Sequence, residues 1–280
     1  MGVFRIVFRA CSPIQIGAGA LGMIERTELF VPGRVIWGAL TASLVRSFFP
    51  SPRGKFYEEA GTELKKGRFS TFFPCLPVKE NDSTLHRMIP CLPEHTFVAE
   101  DQPGMALDQD EVESLLCGSS ASTALDPARM AAAEGTLHST DLILPVWRVA
   151  DGRRARHATT FSGYLELPEQ IHAGGAAIPM DEARLRTCFS SMRIGGGRRN
   201  GWGVVAPESV ERVSSYDGFE SVPWKGGRLL TAETPVEPDG HRVEGRTLLR
   251  SFREYDNVRG CGHRFSKARM VWRTGSVVYD

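Results

Sequence analysis

Ile194-Gly-Gly-Gly-Arg-Arg-Asn-Gly-Trp-Gly203 is the stretch on which the reading of this chain turns. Five of the nine residues from Gly195 to Gly203 are glycine, so the backbone is free to take positive φ and to approach a ligand closely. Bare amides in such a turn make a concave anion site. Arg198 and Arg199 add guanidinium groups suited to bidentate phosphate contact. Trp202 either stacks on a base or plugs the core. The competing reading is a tight glycine turn with two solvated arginines. Two phosphate loops are excluded. A dinucleotide fingerprint opens a helix, whereas this stretch precedes a strand pattern. A Walker loop needs Gly-Lys-Ser/Thr, which occurs nowhere in the chain.

Immediately upstream, Leu185, Cys188, Phe189 and Met192 fall at i, i+3, i+4 and i+7 and predict an amphipathic helix over 181–192. Asp181 and Glu182 stand in its first turn, where the helix dipole favours negative charge. Residues 142–149 and 161–167 read as strands, the second with Phe161, Leu165 and Leu167 on one face. At the start of the chain, Phe4, Ile6 and Phe8 alternate with Arg5, Val7 and Arg9 and predict another strand. Pro32-Gly33 then precedes a largely apolar helix from Arg34 to Phe49, ended by Pro50 and Pro52. The prolines between residues 50 and 104 predict an irregular insertion. Residues 17–22 and 117–125 read as loops, and Asp126-Pro127 as the start of a short helix through Ala133.

The order strand, helix, strand, strand, helix, glycine loop, strand predicts an α+β fold. Its main part is a ferredoxin-like (RRM-like) unit over residues 1–213, with a long insertion at about 50–140. Residues 214–280 are expected to form a second, smaller unit, either ferredoxin-like or simply strand-rich.

Lys and Arg number 34 against 33 Asp and Glu, so any nucleic-acid contact must come from local basic patches rather than net charge. No apolar run is long enough for a membrane helix, and residues 1–9 lack a signal peptide's apolar block. Cys11, Cys75, Cys91, Cys117, Cys188 and Cys261 are widely spaced. They are read as reduced thiols in a cytoplasmic protein, not as a zinc site.

Two further segments are candidates for binding. Arg34 stands in the first turn of the helix after Pro32-Gly33, where free amides and a cation favour an anion; the simpler reading, which the physics alone favours, is a helix start with an exposed arginine. Between 246 and 273, Arg246, Arg250, Arg253, Arg259, Arg264, Lys267, Arg269 and Arg273 face only Glu254 and Asp256, with Phe252, Tyr255, Phe265 and Trp272 interleaved. Charges of that kind suit phosphates, and the rings suit bases of a single strand. The alternative is a solvated strand face with its aromatics in the core. A smaller basic run, Arg148, Arg153, Arg154, Arg156 and His157, reads as a hairpin tip. Catalytic signals are weak. The histidines have no nucleophile-elbow or metal-ligand spacing. Glu25 and Glu28 either hold Mg²⁺ or lie in a solvated loop, and the solvated loop is the simpler reading. No cofactor or metal is called for.

Taken in order, FVPGRVIWGAL (30–40), ALDPARMAAAEGTLHSTDLI (124–143) with FSGYLEL (161–167), and IGGGRRNGWGVV (194–205) resemble the motif series of the RAMP (repeat-associated mysterious protein) superfamily. Gly227-Arg-Leu-Leu-Thr231, Lys267-Ala-Arg269 and Thr274-Gly-Ser-Val277 are similar to the C-terminal half of its handle-capping subunit. The resemblance implies an RNA-binding, non-catalytic subunit of a type III CRISPR effector complex, with the insertion as a thumb. It implies contacts to CRISPR RNA through Arg34, Gly195, Gly196, Gly197, Arg198, Arg199, Gly201, Trp202, Lys267 and Arg269. Its expected partners are target RNA within the complex, a large polymerase/nuclease-type subunit and backbone subunits, with no membrane. Two relatives remain as alternatives. One is the metal-independent guide-processing endoribonuclease, whose glycine loop lies close to its C-terminus, whereas here a long segment follows Gly203. The other is the target-RNA-cutting backbone subunit, which carries an Asp in its first loop where this chain reads MIERTEL.

Overall fold

The computed structural model describes the chain except residues 78–83, 103, 149–153, 237–241, 252, 257–259, 266 and 280; for 148, 154–156, 253–256 and 260–265 it describes the backbone only. The fold is α+β. Its centre is one antiparallel sheet, built from β1 (Gly2–Ala10), β2 (Phe73–Leu76), β3 (His86–Cys91), β4 (Thr96–Ala99), β5 (Ala106–Asp108), β6 (Thr160–Leu167) and β7 (Val205–Val213). The spatial order is β7-β1-β6-β2-β3-β4-β5, with the short strand Arg68–Phe69 also on β6. The first four places in that order form the ferredoxin-like arrangement. Here β3, β4 and β5 extend it on one side.

Alternation explains the sheet's two faces. Phe4, Ile6 and Phe8 of β1 are buried, while Arg5 and Arg9 are exposed. The buried side meets α1 (Gly33–Phe48) and α4 (Glu182–Ser190), which complete the set with α2 (Gly54–Leu64) and α3 (Gln109–Leu116). Phe8 lies among Phe72, Phe161 and Phe189, with ring centroids 5.4, 5.5 and 6.0 Å away. Ser43 Oγ on α1 donates to Cys188 O on α4 at 2.7 Å. The N-cap of α4 is Asp181, whose side chain accepts from Arg184 N.

The other face of β2, β3 and β4 is covered as well. Phe73, Ile89, Cys91 and Val98 pack with Trp224, Leu229 and Val277. Those last residues belong to a four-stranded sheet ordered Ser221–Trp224, Gly227–Leu230, Val277–Tyr279, Arg242–Glu244. A three-stranded sheet places Arg269–Trp272 between Thr234–Pro235 and Thr247–Arg250. No helix lies among the described residues after Gly203, so the C-terminal part is the strand-rich alternative.

Four local expectations are corrected. The stretch 50–104 is not irregular throughout, because α2 forms in it and packs on α1. Trp37 Nε1 donates to Gly61 O at 3.1 Å across that contact. Residues 17–22 are not a loop: Gly17–Leu21 is a strand, joined to Ile24–Thr27 by a turn at Gly22 (φ 59°) and bulged between Gly17 and Gly19. Residues 117–122 are also a strand, paired with His138–Ile143. The helix expected from Asp126 is absent. The Asp126 carboxylate takes the Ala128 amide at 2.9 Å, and Met130 turns to φ 51°, a local turn that competes with the helix.

Gly33 and Gly38 offer a matched test of α1. A Cβ on Gly33 would lie 2.1 Å from Phe69 O, while one on Gly38 meets nothing within 4 Å. Gly33→Ala is expected to destabilise the chain by at least about 2 kcal/mol, because the clash is with backbone. Gly38→Ala should stabilise it by roughly 0.5–1 kcal/mol through helix propensity. Urea unfolding of the two variants checks both signs.

Candidate nucleic-acid interface

The glycine loop joins α4 to β7. Arg193 and Val204 bridge its neck, and Ile194 N donates to Gly203 O at 2.9 Å. Gly197 (φ 62°) and Gly201 (φ 80°) bracket a 3₁₀ turn, Arg198–Asn200, in left-handed conformations. Much of the loop's donor capacity is already used. Gly196 N gives to Gln15 O and Gly203 N to Pro13 O, both at 2.8 Å. Asn200 N gives to Gly197 O and Gly201 N to Arg198 O. The expectation of bare amides across Gly195–Gly203 is therefore corrected at Gly196 and Gly203, whose amides go to the Pro13–Gln15 segment, and at Asn200 and Gly201, whose amides close the turn itself. A Cβ on Gly195 would lie 2.2 Å from Gln15 O. Trp202 is half-buried, and a Cβ on Gly197 would come within 2.0 Å of its ring. Trp202 belongs to neither apolar core cluster; its ring lies against the loop's own backbone at Gly197. Arg198 and Arg199 remain exposed.

A second locus begins one residue beyond Gln15. Ile16 O accepts Glu28 N at 2.7 Å. Glu28, only 5% exposed, forms a close ion pair with Arg273 and lies 4.0 Å from Arg250. Arg250 also meets Glu233 at 2.5 Å. Arg34 stands in the field of this group. Partial burial lowers its pKa, Glu233 raises it, Arg250 lowers it and Glu28 raises it. Arg250 is in turn the cross-strand partner of Arg269. The structure thus draws Arg34 and the strand of Arg269 to one charged locus, with Lys267 exposed just ahead of that strand. The glycine loop lies at the other end of the Gln15–Ile16 connection. Arg34, Arg250 and Arg273 are thus gathered about Glu28 and Glu233.

Sequence reasoning missed Gln15, Glu28 and Glu233 as parts of this arrangement. Their partners are too remote in the chain to leave a local pattern, since Glu28 and Arg273 are separated by 245 positions. The solvated-loop reading of Glu28 is corrected, while Glu25 accepts from Thr140 Oγ1 at 3.4 Å.

The remaining chemistry is dispersed. His86 Nδ1 lies 3.0 Å from the Asp101 carboxylate, and His138 Nε2 lies 2.7 Å from Ser122 Oγ. Among the described residues no three His, Cys, Asp or Glu side chains group as metal ligands. Cys11, Cys75, Cys91, Cys117 and Cys188 are free. Burial pushes the Cys75 thiol up to about 11 and the Cys188 thiol to about 12. A cleft of about 380 Å³ beside α3 is lined by Arg26, Glu113 and Asp141. Its one cation is bound within it, with Arg26 Nε 3.0 Å from Asp141. Phe252 and Arg259 of the basic C-terminal stretch, and Arg153 of the expected hairpin tip, lie outside the described residues. So do the side chains of Arg148, Arg154, Arg156, Arg253, Tyr255, Arg264 and Phe265.

No family model and no curated protein matches the chain. Two of the solved structures that share its fold are of the same complex. One is a chain in the cryo-EM structure of the Type III-B Cmr-beta bound to cognate target RNA and AMPPnP, state 1. It superposes with a TM-score of 0.54 at 12% identity, over 98% of this chain and 85% of that one. The other is a chain in the structure of Type III-B Cmr-beta bound to cognate target RNA, with a TM-score of 0.52 at 12% identity, over 98% of this chain and 86% of that one. No helix among the described residues is long and apolar enough to cross a membrane.

The Glu28 locus makes its own prediction. Glu28→Ala leaves Arg273 and Arg250 without their shared buried counter-charge and is expected to cost about 3 kcal/mol. Hydrogen exchange should show protection falling first in Thr247–Arg250 and Arg269–Trp272, the strands whose arginines Glu28 holds.

Proposed function

We propose that this chain is a non-catalytic, RNA-binding subunit of a type III CRISPR effector complex, and that it holds the guide RNA at its 5′ handle. The observation that carries the reading is the extent of the fold likeness. Ferredoxin-like cores occur in many unrelated proteins, so a match to the core alone would mean little. Here the likeness runs over 98% of the chain. It therefore takes in the added strands β3–β5 and the C-terminal sheets as well as the core. The matched structures hold target RNA, and the motif order in this chain points the same way.

In this reading the contacts are to phosphate and shape, with few base-specific bonds. Arg198 and Arg199 sit exposed on a fixed turn, Arg34 stands at the charged locus, and Lys267 and Arg269 are exposed at its edge. Gly195, Gly196, Gly197 and Gly201 let the turn form, and Trp202 supports it from below. The insertion, set by the resemblance at about 50–140, would act as a thumb. CRISPR RNA, the large subunit and the backbone subunits are its partners.

The two enzyme readings fit the geometry less well. A target-cutting site at Glu28 would need that carboxylate free, yet it is buried against Arg273. Of the histidines that could serve a processing site, His86 and His138 are engaged with Asp101 and Ser122, and His95 lies 3.6 Å from Asp110.

Binding of guide RNA as a function of salt tests the main reading. The double change Arg198→Ala/Arg199→Ala should weaken binding about equally for RNAs of different sequence. It should also flatten the salt dependence by roughly 0.7 for each phosphate of a single strand that is no longer neutralised. An unchanged affinity and slope would remove the loop from the RNA surface. Repeat RNA incubated with the chain in EDTA is expected to stay intact. Site-specific cutting that a single His→Ala change abolishes would favour the processing enzyme instead.

A further inference from the structure

The two arginines of the glycine loop are placed differently. Arg198 Nε donates to Gly195 O at 3.1 Å. Its own carbonyl accepts from Gly201 N at 3.2 Å and from Arg193 Nη1 at 3.4 Å. Arg198 therefore ties the first glycine of the loop to the turn's far end, and Arg193 braces it from the neck. Arg199 follows directly, is exposed, and bonds to no described residue. The backbone below both is already fixed by Gln15 O, which accepts Gly196 N at 2.8 Å.

We propose that the two residues do different work: Arg199 contacts phosphate, and Arg198 is a positioning residue that holds the turn from which Arg199 projects. The proposal rests on the reading that this loop faces RNA. The chemistry separates the roles. A phosphate contact at position 199 needs charge and reach, which a lysine ammonium also supplies. The bond from position 198 to Gly195 O uses the Nε–H of a planar guanidinium, and lysine has no group at that place in its side chain.

Charge-preserving exchanges in the full chain test this, with a single-stranded repeat-sequence RNA as the probe and affinity measured across salt concentrations. Arg199→Ala should weaken binding roughly tenfold and lower the salt slope by about 0.7. Arg199→Lys should keep the slope and most of the affinity. Arg198→Ala and Arg198→Lys should weaken binding to similar extents, both with the slope of the unaltered chain. Two results would overturn the division of roles: Arg198→Lys binding like the unaltered chain, or Arg198→Ala reducing the slope as Arg199→Ala does. If neither alanine change moves affinity or slope, the loop does not face RNA, and both this proposal and the reading beneath it fall.

Discussion

Strands β2 and β3 are buried at every residue, and a strand without a solvent face needs cover on both sides. The helices supply one side. Phe72 joins the core with Phe8 and Phe189, while Phe73, its neighbour, points the other way to Phe30, Ile89 and Trp224. Met88 and Ile89 divide in the same manner, as do Phe97 and Val98. The C-terminal strands are therefore no appendage to the ferredoxin-like unit. They fill the second face of its extended half, and without them a row of large apolar side chains would meet water.

That double cover creates an electrostatic problem, which one residue answers. Arg87 sits on β3 and is 7% exposed. Burial works against its charge, yet Glu100 and Tyr216 raise its pKa and keep it cationic. Its guanidinium donates to Glu100 Oε1 at 2.6 Å, Tyr216 OH at 2.7 Å, Thr71 O at 2.9 Å and Ser162 O at 3.0 Å. Tyr216 lies flat on Tyr164, 3.6 Å between ring centres. A buried charge is tolerated only with such full pairing. The result joins β3, β6 and the segment after β7 through a single side chain.

The parts of the fold visible in the sequence are those whose signal is local. The alternation of Phe4, Ile6 and Phe8 marked β1, and the spacing of Leu185, Cys188 and Phe189 marked α4. Helix α2 escaped notice because its sequence, GKFYEEAGTEL, holds two glycines and sits between prolines, while its support comes from Trp37 on another helix. The strands Gly17–Leu21 and Cys117–Ser122 are made largely of small and polar residues whose intrinsic strand preference is low. Their pairing partners, not their composition, make them strands. In the site, the loop and Arg34 were legible from glycine, proline and arginine spacing. The link between Arg34 and Arg269 was not, because it passes through Arg250, Glu28 and Glu233, which only the tertiary fold assembles.

Tertiary partners also decide how the glycine loop works. A loop that bound an anion through its own amides would have to leave them unpaired, at a cost whenever the ligand was absent. Here several amides are satisfied by the Pro13–Gln15 segment and by the loop itself. The glycines instead permit close contact with Gln15 and Trp202, which fixes the turn without a ligand. A turn fixed in advance loses little entropy on binding, so the cost that remains falls on the long cationic side chain at its tip. In the proposed function, recognition would then depend on charge placed by a rigid support, in keeping with a partner read by its phosphates and shape rather than by its bases.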